Sequence, residues 1–188
     1  MGEPCRVDAL VLTQFISNDL YMKSFFQLLS SRAAVTILAA VGTIPTCMIA
    51  QDAALQAQIQ AGQQVYNTVC FACHQPTGQG LPGMFPPVAA SDWVAKPKAD
   101  RLIRMVLHGF MGPITINGKP FTSPAPLMPP QGAALSDDQI ANVLTYVRNS
   151  FGNQAGAVSP ADVKAIRESE KARTAMWTEA EILKIPAE

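Results

Sequence analysis

Two thiols two residues apart, followed directly by an imidazole, form the group in this chain whose spacing dictates a specific chemistry: Cys70-Phe71-Ala72-Cys73-His74. On one turn of helix the two sulfurs can add to the two vinyl groups of a haem, and the adjacent histidine is placed to ligate its iron. Other uses of a paired cysteine fit less well. A thioredoxin-like dithiol belongs beside a strand-helix-strand pattern, which does not surround this motif. A structural zinc site needs four ligands of the cysteine and histidine kind, and beyond residue 50 the sequence adds only His108. The spacing therefore predicts one covalently bound haem c, with His74 as an iron ligand.

The ligand on the other face of the iron decides between carrying electrons and binding small molecules. A thioether fills that position, closes it to substrates and favours the ferrous state relative to a second imidazole. The candidates are Met84, Met105, Met111, Met128 and Met176. Met105 falls within a predicted helix, where packing is its expected use, and Met84 follows the motif too soon to cross to the other face. Met128 is assigned the role because it lies in a proline-stiffened loop just before the last main helix. His108 is expected to cap a helix or to donate a hydrogen bond at the haem edge. A bis-histidine iron of lower potential is the alternative use of His108.

The elements that must position these residues are mostly helical. From Asp52 to Val69 the residues Leu55, Ile59, Val65, Tyr66 and Val69 fall largely at helical spacings, which delivers the chain to Cys70. Residues 75–97 are rich in glycine and proline and predict an ordered loop. A second helix is predicted over Lys98 to His108, with Leu102, Ile103, Val106 and Leu107 on one face and Gly109 ending it. Residues 112–132 again read as loop, with Asn117-Gly118 and several prolines. Ser136-Asp137-Asp138-Gln139 is a capping box, and Ile140, Val143, Leu144 and Val147 repeat at i, i+3, i+4 and i+7, so the third helix should run to about Phe151-Gly152. Beyond it, Ser159-Pro160 starts a charged helix to about Thr174, and Thr178-Glu179 a last turn. The weak apolar stripe of Val163, Ile166, Met176 and Trp177 suggests an appendage lying on the domain. The expected class is all-α: three main helices and Pro/Gly-rich loops wrapped around one covalent haem.

Composition agrees with that class. Aromatic residues make up only 7% of the 188, which suits a small helical protein whose core is completed by an apolar cofactor. Lys plus Arg and Asp plus Glu are 14 each, so no large field argues for nucleic acid or an anionic surface as partner. Association with a redox partner is then expected to depend little on salt. Residues 1–50 are read as a leader. Met22-Lys23 and Arg32 precede an uncharged, mostly apolar stretch from Ala33 to Ala50, and Met22 is taken as the start because Met1 to Tyr21 hold three acids and one base. Cleavage after Ala50 is expected, with an uncleaved membrane anchor and lipidation at Cys47 as the alternatives. Either way the remainder is placed outside the cytoplasm. The domains are then 1–50 leader, 51–152 haem domain and 153–188 C-terminal helical extension.

Several stretches together resemble a class I cytochrome c domain over about Gln60 to Gly152. They are Gly62 to Tyr66, Cys70 to His74, Gly80-Leu81-Pro82-Gly83 with Phe85-Pro86-Pro87, Leu107-His108-Gly109 with Ile116-Asn117-Gly118, and Met128-Pro129-Pro130 with Leu144-Thr145-Tyr146-Val147-Arg148. The resemblance implies that the first and last helices cross at Gly62 and Tyr146, with Tyr66 packed beside them. It also implies that the carbonyl of Pro86 accepts a hydrogen bond from the ligand imidazole. The chain departs from the family's pattern at Ser123-Pro124-Ala125-Pro126-Leu127, where a smaller, glycine-containing approach to the methionine is usual. The implied function is a periplasmic carrier of single electrons between redox proteins such as a dehydrogenase, reductase or oxidase, rather than an enzyme. The alternatives are a cytochrome subunit of a larger oxidoreductase (dehydrogenase, nitrite reductase or terminal oxidase) and a haem enzyme or gas sensor with an open iron.

Overall fold

A computed structural model describes residues 46–121, 123 and 127–187. The start at Met22 and most of the apolar stretch, residues 33–45, lie outside the described residues, as do Pro124, Ala125 and Pro126. The chain divides into two compact units, Met1–Gln51 and Asp52–Glu188, and the second contains the cysteine and histidine motif.

Helix α1 spans Thr46–Val65 and winds on through a wider turn, Tyr66–Cys70, with i→i+5 geometry. Such a turn inserts an extra residue into the helix and re-aims the chain beyond it. The short helix α2, Phe71–His74, carries the cysteine and histidine motif from there. Helix α3 spans Asp100–His108, α4 Asp137–Arg148, α5 Pro160–Ser169 and α6 Glu179–Ile182. The predicted capping box is present: Ser136 Oγ accepts from the Gln139 N–H, and the Gln139 side chain accepts from the Ser136 N–H. Helix α4 ends at Arg148, three residues before the predicted end, where Phe151 and Gly152 take positive φ of 57° and 81° and turn the chain.

The first and fourth helices touch at Gly62. A Cβ there would sit 2.0 Å from the carbonyl oxygen of Asn142 and 2.8 Å from the Cβ of Tyr146, so only a glycine allows this approach. Beside the crossing, Tyr66 packs on Tyr146 and Phe151 with ring centroids 5.4 and 5.2 Å away, a tilted arrangement that favours edge-to-face contact. Leu102, Ile103, Val106 and Leu107 turn their face of α3 toward Ile140, Ala141 and Leu144 of α4. Each such side chain taken fully out of water contributes about 1.5–3 kcal/mol.

Two short antiparallel pairs interrupt the predicted loop over residues 112–132. Strand β1 is Phe110–Met111, β2 Ile114–Ile116, β3 Lys119–Phe121 and β4 Leu127–Met128; β1 pairs with β4 and β2 with β3. The β2–β3 hairpin turns on Asn117-Gly118, both with positive φ. That signal was present in the sequence, since Asn-Gly between extended residues is the strongest short-range mark of a hairpin.

The 153–188 tail is built in more deeply than an appendage. Val158, Val163 and Ile166 join the α3–α4 core, and Trp177 and Ile182 join a second cluster with Phe110, Ile114 and Ile116. Arg167 clamps α5 to the start of α4 through the Asp137 carboxylate (2.7 Å) and the carbonyls of Gly132 and Leu135. The weak stripe misled because the tail is gripped by cations as well as by apolar side chains.

Arg148 is the other clamp. It is fully buried, and its guanidinium donates to the carbonyls of Gly156, Val94, Lys96 and Pro97 at 2.8–3.0 Å. It thereby ties the end of α4, the loop before α3 and the start of the tail together. Burial lowers its pKa, with no carboxylate among the described residues to offset the cost. Arg148→Met is expected to leave those four carbonyls without a donor and to lower stability by about 3 kcal/mol. Denaturant unfolding of the matured protein measures this, and an unchanged midpoint would refute the clamp.

Candidate functional site

The motif sits at the mouth of an apolar cavity walled by helices, strands and loops from across the domain. Cys70, Cys73 and His74 line one side. Leu102, Met105 and Val106 come from α3, Val143, Leu144 and Val147 from α4, and Trp93, Phe110 and Met128 from the loops and strands between. Trp93 is fixed by its indole N–H, which donates to the Thr115 carbonyl at 2.7 Å. The lining is therefore a preformed apolar slot with a few polar atoms at one side, as expected of a cofactor site.

Both cysteines are free thiols. Burial, and secondarily the neighbouring Cys73, push the Cys70 thiol up to about 11. A thiol raised that far stays protonated at neutral pH, the opposite of the depressed pKa that a disulfide-exchanging cysteine needs. Above them the Tyr66 hydroxyl donates to the Gln75 carbonyl at 2.6 Å and closes the turn.

His74 ends α2, and its Nδ1 lies 3.1 Å from the Pro86 carbonyl oxygen. A carbonyl can only accept, so Nδ1 carries the proton and Nε2 is left as a bare lone pair. Burial lowers the pKa of His74, and the Pro86 bond offsets this in part. The imidazole is thus neutral and aimed, as a metal ligand must be. The Pro86 carbonyl reaches it because the loop doubles back: Leu81 and Phe85 form an antiparallel bridge, and the Gly80 N–H donates to the His74 carbonyl at 3.0 Å.

Of the five candidate methionines, Met84, Met105 and Met128 reach the cavity wall, and Met111 and Met176 lie outside its lining. Met84 is half exposed at the rim. Met105 projects from α3, while Met128 comes from β4, an element separate in sequence from the histidine's. His108 does not line the cavity. It lies instead in the α3–tail interface, its Nε2 3.2 Å from a carboxylate oxygen of Glu170 but not aligned for a hydrogen bond. Burial lowers the pKa of His108, outweighing the opposite pull of Glu170. The haem-edge role expected for it has no counterpart in this geometry.

The donor set fits a haem. Two thiols on one turn, a neutral imidazole with a free Nε2 and a thioether in the same apolar cavity are the groups that a covalently held, six-coordinate iron requires. Sequence reasoning missed Trp93 and Phe110 as parts of the wall. Only their aromatic character in a Pro/Gly-rich region could have flagged them.

Comparison with known proteins points the same way. The family profile described as Cytochrome c matches residues 59–151. The chain is 36% identical over 109 residues to the cytochrome c subunit of a quinone-type alcohol dehydrogenase from Gluconacetobacter polyoxogenes, covering 57% of this chain and 22% of that one. It is 37% identical over 113 residues to the gluconate 2-dehydrogenase cytochrome c subunit of Pantoea cypripedii, covering 59% and 25% respectively. Cytochrome c-552 of Thermus thermophilus is 34% identical over 95 residues, 49% of this chain and 69% of its own. The match thus spans about a quarter or less of those dehydrogenase subunits and most of the smaller cytochrome.

Proposed function

Because the chain belongs to the cytochrome c family of electron-transfer proteins, we propose that Cys70 and Cys73 would hold its haem c by thioether bonds and that His74 and Met128 would ligate its iron. When bound, the haem supplies a one-electron ferric/ferrous couple. Everything else is the work of the chain. The Pro86 carbonyl keeps the proton on Nδ1 of His74 and so presents Nε2 to the iron. Cavity residues such as Leu102, Val106 and Leu144 exclude water, which leaves little to reorganise when the charge changes. The half-exposed side chains of Leu81 and Met84 lie in the loop after the motif, and Met84 makes part of the cavity rim. They offer the apolar surface across which an electron would pass.

The single observation that carries this reading is the joint presence in one apolar cavity of the thiol pair, His74 and Met128. The protein is then an electron carrier, exported to the periplasm and serving redox partners there. The dehydrogenase subunits among its relatives favour one refinement: service to, or membership of, a periplasmic dehydrogenase complex.

Maturation in a host that attaches haem c tests the assignment. The expected product has the mass of chain plus one haem, keeps its colour through acid–organic extraction, titrates reversibly with one electron, and binds carbon monoxide slowly in the ferrous state. A colourless product would overturn the attachment. Rapid, stoichiometric carbon monoxide binding would overturn the second ligand and favour a haem enzyme or gas sensor.

A further inference from the structure

Strand β4, which carries Met128, is two residues long and pairs with β1, also two residues long, in the register Phe110↔Met128 and Met111↔Leu127. Two such strands have little stability on their own. The other edge of β1 is occupied by the tail. Trp177 forms a parallel bridge with Phe110: its N–H donates to the Gly109 carbonyl at 3.0 Å, and the Met111 N–H donates to its carbonyl at 2.8 Å. A strip three chains wide results, with Met128 on one edge, Phe110 in the centre and Trp177 on the other edge.

The strip is tight. A Cβ at Gly109 would stand 2.6 Å from the Met128 carbonyl oxygen, and the residue holds a φ of +80°, so a glycine is needed for β1 to lie against β4. The side chains lock it too. Trp177 and Ile182 from the tail pack with Phe110, and Met128 rests against that cluster. Within the tail the Arg173 guanidinium stacks 3.6 Å over the Trp177 ring and steadies it, and the tail is pinned to β2 by the Glu179 carboxylate, which accepts from the Thr115 N–H at 2.7 Å.

We propose that the tail's role is to hold Met128 at the iron, with Trp177 as the positioning residue. This rests on Met128 being the axial ligand. A neutral thioether is a soft, single-point ligand, so how long it stays on the iron depends on how firmly its strand is held. That strand is held through β1, and the tail supplies the whole outer edge of β1.

The experiment uses the full, matured chain and reads two signals: the sulfur-to-iron absorption band of the ferric protein, and the rate at which the ferrous protein binds carbon monoxide. Trp177→Ala is expected to weaken the band and to speed carbon monoxide binding at least tenfold, with haem content unchanged. Trp177→Phe is expected to restore both signals most of the way, because the indole N–H makes no hydrogen bond among the described residues and a phenyl ring keeps both the packing and a face for the Arg173 guanidinium. Val163→Ala removes buried contacts elsewhere in the tail and serves as the control for general destabilisation. It should lower the melting temperature while leaving both signals in place. If Trp177→Ala yields no matured protein, Glu179→Gln, which weakens one pin of the tail, is expected to speed carbon monoxide binding about threefold. Wild-type signals in Trp177→Ala, or in Glu179→Gln where that variant is used, would overturn the proposal. So would an acceleration in Val163→Ala equal to that in Trp177→Ala. A wild-type protein without the band, or a Met128→Ala variant that keeps it, would instead overturn the ligand assignment beneath.

Discussion

Met128→Ala is expected to abolish the sulfur-to-iron band, to open the ferrous protein to carbon monoxide within mixing time, and to lower the reduction potential. The reason is the loss of a neutral sulfur that favours the ferrous state. Axial ligation sets potentials across a range of roughly 0.8 V, so a drop on the order of 0.1 V is the expected scale. Met105→Ala is the matched comparison, because Met105 reaches the same cavity from α3 and packs on the same cluster. It should keep the band and lose only packing, about 2–4 kcal/mol at most for a partly buried methionine. A reversal, with the band lost in Met105→Ala and kept in Met128→Ala, would move the ligand to α3. Optical spectra and a redox titration of both variants decide it.

Gly62→Ala is expected to destabilise the domain by about 3 kcal/mol, near or above the top of the usual range for overpacking. Two effects oppose each other. Alanine within a helix gains about 1 kcal/mol over glycine in propensity. Against that, the new Cβ would lie 2.0 Å from the Asn142 carbonyl oxygen and 2.5 Å from its carbon. Those are backbone atoms of α4, which cannot rotate aside as a flexible side chain would. The helices must separate, and with them the aromatic group of Tyr66, Tyr146 and Phe151. A fall in melting temperature of roughly 10 °C in the matured protein is the expected consequence. An equal or higher melting temperature would mean that α1 and α4 do not cross at this point.

The helices differ in how well the residues alone forecast them. Helix α4 was legible almost to the residue at its start, because a capping box and an i, i+3, i+4, i+7 stripe are local and act in the first turn whatever surrounds them. Helix α3 followed from its apolar face and the Gly109 stop, and its start, which has no side-chain cap, fell at Asp100 rather than Lys98. The approach to Cys70 was read as one helix. The i→i+5 turn over Tyr66–Cys70 went unseen, since Val65, Tyr66 and Val69 keep the i+3 and i+4 spacings of a regular helix and the chain ends its stripe there. The strip of β1, β4 and Trp177 was equally hidden. Its members are two-residue pieces whose partners lie far along the chain, and such pairing has no local signature.

By itself, the sequence determined the chemistry that depends on neighbours in the chain. Two cysteines and a histidine in five residues are bound to share a helical turn wherever that turn is placed. Tertiary structure alone decided which distant groups meet them. It brought the Pro86 carbonyl to Nδ1 of His74, turned Met84, Met105 and Met128 toward the cavity while leaving out Met111, Met176 and His108, and set Trp177 on the outer edge of the Met128 strip. The physical reason is that spacing constrains side chains within a few residues of one another. Contacts across the core depend on how whole helices and loops pack, and that is settled by the sum of many weak interactions rather than by any one motif.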